Sequence, residues 1–256
     1  MEELWIKLLI LCPLLLVAGL IDGISGGGGM IALPSYLMVG LPVTSAYACN
    51  KVQSCLGTSA SMFKYAKSGM IDLKSAIPAS VAAIIGSFIS TQIMLSLSDE
   101  VKSVIIAVAM CLVVILMIVS SRMKIDDYTV RRTEFSLKHV LLCLLIGLLL
   151  GLYDGFFGPG GGTVALLLFA VVLGYDLRVG CGNGKLIIVI SNLTSMITYA
   201  IHGDVIWMIA IPCSLANIIG SYVGATLATK RGTKFVKYIS WLVIAALIVY
   251  AVAEAI

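Results

Sequence analysis

The chain has 256 residues, of which 60% are hydrophobic and 12% charged, with a formal net charge of +4. Its mean hydropathy of +1.09 lies far outside the range of soluble domains and predicts an all-α polytopic membrane protein. The charge calls for no nucleic-acid partner, because the basic residues collect at the edges of apolar stretches, where they meet the lipid bilayer.

The amino terminus carries Glu2 and Glu3 with Lys7 and lacks a basic n-region. The apolar run Leu4 to Ile21 continues without a small-residue cleavage site, so a retained span is expected. Asp22 follows, and then the cluster Gly26, Gly27, Gly28 and Gly29, whose residues are poor helix formers. The next stretch, Met30 to Leu41, is too short for a hydrocarbon core of about 30 Å at about 1.5 Å per residue. A break at Gly40-Leu41-Pro42 leads to Thr44 to Ala66, which carries Asn50, Lys51, Gln53, Ser54, Thr58 and Ser59. Side chains three or four apart share a helix face, so Lys51, Ser54 and Thr58 form one polar stripe. Beyond the basic boundary of Lys64, Lys67 and Lys74 come Ser75 to Leu97 and Val101 to Ser120. The linker from Ser121 to Lys138 carries Arg122, Lys124, Arg131, Arg132 and Lys138 against Asp126, Asp127 and Glu134, which places it in the cytoplasm.

The second half repeats this order. Leu137 to Tyr153 precedes Asp154 and the cluster Gly158-Pro159-Gly160-Gly161-Gly162; short Thr163 to Leu173 and a break at Gly174-Tyr175-Asp176 follow. Val179 to Ile201 holds Lys185 with Asn183, Ser191, Asn192, Thr194 and Ser195, ahead of Val205 to Ala228 and Phe235 to Ile256. The duplication is direct: SMFKYAKSGMI from Ser61 matches SMITYAIHGDV from Ser195, and GLIDGISGGGG from Gly19 matches GLYDGFFGPGG from Gly151. Lys51 and Lys185 are repeat mates, as are Asp22 and Asp154. Repeats this long are half-molecules, a construction common in membrane transporters. The expected organisation is a first repeat over 1–120, a linker over 121–138 and a second repeat over 139–256.

Equivalent loops carry opposite charge. The boundary at Lys64, Lys67 and Lys74 has the mate His202 to Asp204, and Lys230, Arg231, Lys234 and Lys237 have the mate around Asp99 and Glu100. This predicts two inverted repeats, with broken or re-entrant helices at the short stretches and about eight to ten transmembrane segments.

A cation inside hydrocarbon is costly and faces a polar cavity and a partner, so a duplicated lysine points to an anion site. Its competitor is snorkelling to the headgroups. Each glycine cluster opens into an apolar helix whose first-turn N–H groups and positive dipole end suit an anion, against the alternative of helix packing. The candidate substrate-binding residues are Gly26, Gly27, Gly28, Gly29, Asn50, Lys51 and Ser54 in the first half. In the second they are Gly160, Gly161, Gly162, Lys185, Asn192 and Ser195. Asp22 and Asp154 are candidate coupling residues, able to neutralise a lysine when the site is empty or to take up a proton; the alternative is a hydrogen-bonding role at a helix end. No CxxC or His/Cys cluster accompanies the seven cysteines, so neither metal, disulfide nor other cofactor is expected. GNGKL at Gly182 fails as a P-loop, because Leu186 stands where Ser or Thr is required.

At these residues the chain resembles a known family. IDGISGGGGMIALPSYLMVGLPVTSAYACNKVQS and YDGFFGPGGGTVALLLF are similar to the duplicated signature of the sulfite exporter TauE/SafE family, the TSUP membrane permeases, over nearly the whole chain. The resemblance implies a multi-pass permease of the bacterial-type plasma (inner) membrane, associated with sulfite, sulfonates and other sulfur-containing organic anions. It covers Gly26 to Gly29, Pro34, Asn50, Lys51, Gly158 to Gly162 and Lys185. Leu166 stands where the first copy has Pro34, so the two half-sites need not be equivalent.

The expected function is a secondary transporter for a small, sulfur-containing anion, working by alternating access and coupled to a proton or sodium gradient. One competitor is an anion channel using the same residues. The other is an intramembrane hydrolase with Asp22 and Asp154 as its dyad, which leaves the lysines and glycine clusters without a role.

Overall fold

The computed structural model describes residues 2–122 and 136–231, and every regular element among them is an α-helix: α1 (Glu2–Ser25), α2 (Gly29–Met38), α3 (Val43–Lys67), α4 (Leu73–Ser96), α5 (Asp99–Arg122), α6 (Leu137–Phe156), α7 (Gly161–Leu173), α8 (Leu177–His202) and α9 (Trp207–Arg231). Nine of the ten predicted stretches are thus helices. The tenth, Phe235 to Ile256, and most of the linker lie outside the described residues. Helices α1, α4, α6, α8 and α9 are each long and apolar enough to cross a membrane. Helix α3 has 25 residues but a polar interior.

Local chemistry sets the helix ends. Ser136, Asp72 and Asp176 cap α6, α4 and α8 by accepting from His139 N–H, Lys74 N–H and the N–H groups of Arg178 and Val179. Helices α7 and α8 end at Gly174 and Gly203 in the left-handed conformation. Helix α2 has 10 residues and α7 has 13, roughly 15 and 20 Å of rise, so neither crosses alone.

The halves are not separate packing units. Helix α4 lies along α6 and α1 along α9, so the fourth helix of each half packs on the first helix of the other, while α3 meets α8 at the centre. Small residues permit these contacts. A methyl group added at Gly147 would lie 1.9 Å from the carbonyl oxygen of Ala79, and one at Gly23 would lie 2.2 Å from that of Ser221. Close backbone approach of this kind is how helices associate in lipid, where apolar burial supplies no drive.

The molecule is apolar outside and polar within. Ile77, Val81, Ile85 and Phe88 of α4 are exposed at helical spacing, as are Leu141, Leu145 and Leu149 of α6. Asn50, Lys51, Gln53, Asp154, Asn183, Lys185, Ser191 and Asn192 are buried. Such a surface is solvated by lipid and such an interior must satisfy itself.

Two poles follow from the contacts. Lys102 Nζ of α5 donates to Thr44 Oγ1 at 2.6 Å, which places the α2–α3 turn beside the start of α5. Ser75 Oγ lies 2.7 Å from Tyr175 Oη and 2.7 Å from His139 Nε2, which places the α7–α8 turn beside the starts of α4 and α6. Helix α4 separates these points by roughly 36 Å. The α1–α2 hairpin therefore opens at one pole and the α6–α7 hairpin at the other.

Gly147→Ala is expected to force α6 from α4 and destabilise the protein by about 1–3 kcal/mol, read as a lower melting temperature in detergent. The lipid-facing Leu145→Ala should change it little; equal melting of the two variants would contradict the close approach.

Candidate functional site

Both glycine clusters end a helix just after an aspartate. Asp22 lies in the last turn of α1, where its carbonyl accepts Gly26 N–H at 2.8 Å, and Asp154 lies in the last turn of α6, accepting Gly158 N–H at 2.9 Å. Gly26, Gly158 and Gly160 have φ of 83°, 72° and 78°, backbone that side chains with a Cβ rarely adopt. The two breaks meet in the interior. A methyl group added at Gly26 would lie 2.6 Å from Gly162 Cα, one at Gly29 would lie 2.9 Å from Pro159 Cα, and Thr163 Oγ1 donates to the carbonyl of Ser25 at 3.2 Å. Helices α2 and α7 thus start side by side, and neither start has a side-chain cap. Their first-turn N–H groups and dipoles make a positive region facing the polar interior.

Against this region stand two ion pairs, each crossing between the halves. Lys51 Nζ of α3 lies 2.8 Å from Asp154 Oδ2 and donates to the Asp154 carbonyl at 2.5 Å. Lys185 Nζ of α8 lies 2.8 Å from Asp22 Oδ2 and also donates to the Asp22 carbonyl. Each carboxylate takes a further hydrogen bond from its own half: Thr58 Oγ1 donates to Asp22 Oδ2 at 3.1 Å, and Ser191 Oγ to Asp154 Oδ2 at 2.7 Å. The Lys51, Lys185 and Asp154 side chains are 0%, 1% and 2% exposed, and that of Asp22 17%. Both ammonium groups are therefore interior charges, and neither snorkels. Each also caps the negative end of a broken helix, since its second acceptor is a last-turn carbonyl.

The other predicted residues distribute unevenly. Asn50 is buried and its Oδ1 accepts from Gln53 Nε2 at 3.3 Å, while Gln53 Nε2 also donates to Ser54 Oγ at 2.8 Å. Asn50 borders the second break, where a methyl group at Gly158 would lie 3.6 Å from its Nδ2. Methyl groups at Gly28 and Gly161 would lie 2.7 Å from Asp22 Cβ and 3.1 Å from Asp154 Oδ1, so both glycines border an aspartate. Gly27 is buried between Gly26 and Gly28. Asn192 is buried on α8. Ser195 is bonded instead to Thr91 Oγ1 of α4 at 2.8 Å. Sequence reasoning placed Thr58 in the polar stripe and Ser191 among the neighbours of Lys185, without their role as ligands of the aspartates. Their spacing along the lysine helices was the available signal. Among the described residues no group of three His, Cys, Asp or Glu side chains is placed to hold a metal ion.

Removing one member of a buried pair leaves an uncompensated charge and costs about 3–5 kcal/mol. Lys51→Met should therefore destabilise strongly, and the double variant Lys51→Met/Asp154→Asn should recover much of the loss in a thermal-melt cycle. Additive losses would show that the pair is not coupled.

The chain is similar to known proteins over most of its length. The profile described as "Sulfite exporter TauE/SafE" matches residues 11–251. The chain is similar to "Probable membrane transporter protein ORF9" of Sinorhizobium sp, 28% identical over 93% of this chain and 89% of the relative. It is also similar to a "Probable membrane transporter protein" of Haemophilus influenzae, 26% identical over 86% of this chain and 85% of the relative. "Probable membrane transporter protein YfcA" of Escherichia coli is 25% identical, over 92% of this chain and 88% of the relative. No solved structure matches.

Proposed function

The chain belongs to the sulfite exporter TauE/SafE family of membrane transporters, and from that premise we propose that it carries a small sulfur-containing anion, such as sulfite or an organosulfonate, across the plasma membrane by alternating access. The observation that carries this reading is the pair of crossed lysine–aspartate bridges beside the joined starts of α2 and α7.

Each bridge holds a lysine with a ligand that an anion can replace. Oxygens of a sulfite or sulfonate group accept from Nζ as a carboxylate does, and the adjacent helix N-termini add N–H donors. Charge then sets the coupling. With both lysines protonated and both aspartates ionised the empty site is neutral, and a low-dielectric interior disfavours a net charge. A monoanion enters most readily with one proton, taken by Asp22 or Asp154, and a dianion with two. Protonation weakens the hold of that aspartate on its lysine, while Thr58 or Ser191 keeps it in place. The opposite openings of the two hairpins support an inverted-repeat arrangement. The basic boundary at Lys64, Lys67 and Lys74 supports a cytoplasmic side for its pole.

Ligand that binds the folded state at a hundred times its Kd stabilises it by about 2.7 kcal/mol. In a thermal-shift panel of sulfite, thiosulfate, taurine, sulfoacetate, sulfate, oxalate and chloride, a sulfur anion is expected to raise the melting temperature selectively, and Lys51→Ala and Lys185→Ala to abolish the shift. In proteoliposomes the same anion should carry protons with it. Unaltered anion flux in the double lysine variant would overturn the site.

A further inference from the structure

The two ion pairs enclose a gap with unlike walls. On α3, Lys51 binds Asp154 and Thr58 binds Asp22, and Ser54 lies between them in sequence. On α8, Lys185 binds Asp22 and Ser191 binds Asp154, and Ile188 lies between them. Residues three or four apart share a helix face, so Ser54 and Ile188 stand on the faces that hold the aspartates. Helices α3 and α8 pack on each other, and both residues therefore border the gap between the bridges, one from each side. They are also repeat mates, each three residues after its lysine. A hydroxyl in one wall thus corresponds to hydrocarbon in the other.

Each wall has its own chemistry. Ile188 is buried, and its Cδ1 lies 2.9 Å from where a methyl group on Gly161 would be, with Asp154 Oδ1 3.1 Å from the same point. Hydrocarbon is therefore set against the start of α7 and beside a carboxylate. An anion oxygen turned to this wall would lose its water without gaining a hydrogen bond, whereas a carbon turned to it loses nothing. Ser54 Oγ accepts from Gln53 Nε2 at 2.8 Å, which leaves the hydroxyl hydrogen to be given to an acceptor. Asn50, on the same helix, borders the second break. This wall suits oxygen.

We propose that Ser54 and Ile188 are the specificity-determining pair of the central site, orienting an anion with its oxygens on Ser54 and the two ammonium groups and its carbon against Ile188. The lysines attract any small anion, and the pair decides among anions of equal charge. An oxyanion bearing one apolar group is accepted in preference to one with polar atoms on every side, because the polar atom facing Ile188 is left without a partner. The orientation rests on the anion-transport reading and adds to it which way the substrate lies between the bridges.

Methanesulfonate and sulfamate separate the two walls, because they have the same charge and nearly the same size and differ in a methyl against an amino group. Their dissociation constants for the purified full-length protein would be measured from the ligand dependence of its melting temperature at neutral pH. Methanesulfonate is expected to bind on the order of tenfold more tightly, the discrimination that one apolar contact supplies. Ile188→Thr, which keeps the branched shape and adds a hydroxyl, should erase or reverse the preference, and Ile188→Val should keep it. Ser54→Ala should weaken both anions by a similar factor and leave their ratio unchanged. Equal affinities in the unmodified protein, or an unaltered ratio in Ile188→Thr, would overturn the orientation and leave the anion site standing. Binding of neither these two nor any anion of the thermal-shift panel would overturn the anion site itself, and the orientation with it.

Discussion

An ammonium group cannot lie unpaired in a low-dielectric interior, and here the two central lysines each find a carboxylate in the other half of the chain. Lys51 reaches Asp154 and Lys185 reaches Asp22. Because both members of each pair are costly to bury alone, neither half satisfies its own interior without the other. The fold is organised around this mutual requirement: α3 and α8 bring the lysines to the centre, and the broken ends of α1 and α6 bring the aspartates. The same crossing appears in the packing, where α4 seats on α6 and α1 on α9 through glycine contacts.

The helix breaks and the ion pairs are one device. The carbonyls of Asp22 and Asp154 each accept the N–H four residues on, from Gly26 and Gly158, and keep a second lone pair for a further donor. Here the helix ends within a turn of Asp22 and Asp154, and each lysine binds both the carboxylate and the backbone carbonyl. The chain then restarts as α2 or α7, presenting a positive helix end next to the same charges. On the proposed transport reading, an anion would exchange ligands on Nζ at a site whose donors are already in place.

Near-symmetry makes the departures informative. Asn50, Gln53 and Ser54 beside Lys51 correspond to Gly184, Ile187 and Ile188 beside Lys185, and Ile188 Cδ1 reaches to within 2.9 Å of where a methyl group on Gly161 would lie. One side of the central site is thus amide-rich and the other partly apolar. The poles differ in the same way, with Asp72, Ser75 and Tyr175 at one and Ile206, Ile209 and Leu41 at the other. Two halves with one backbone plan therefore differ in side-chain chemistry both at the centre and at the poles.

Composition, periodicity and the duplication were enough to determine the class, nine of the helices and the short helices after each glycine cluster, because these depend on local hydropathy, glycine content and chain length. The paired occurrence of Lys51 with Lys185 and of Asp22 with Asp154 marked the site for the same reason: a charge in an apolar stretch stands out in one dimension. Which lysine meets which aspartate was not legible, since both pairings share the same residues and spacing, and only the packing of α4 on α6 and α1 on α9 selects the crossed one. Ser195, placed at the site by its helix, is turned to Thr91, and His139, unremarkable near the start of a span, is joined to Ser75 and Tyr175 by contacts between distant helices. Side-chain partners across helices depend on rotation and depth, which tertiary packing sets and a linear pattern does not contain.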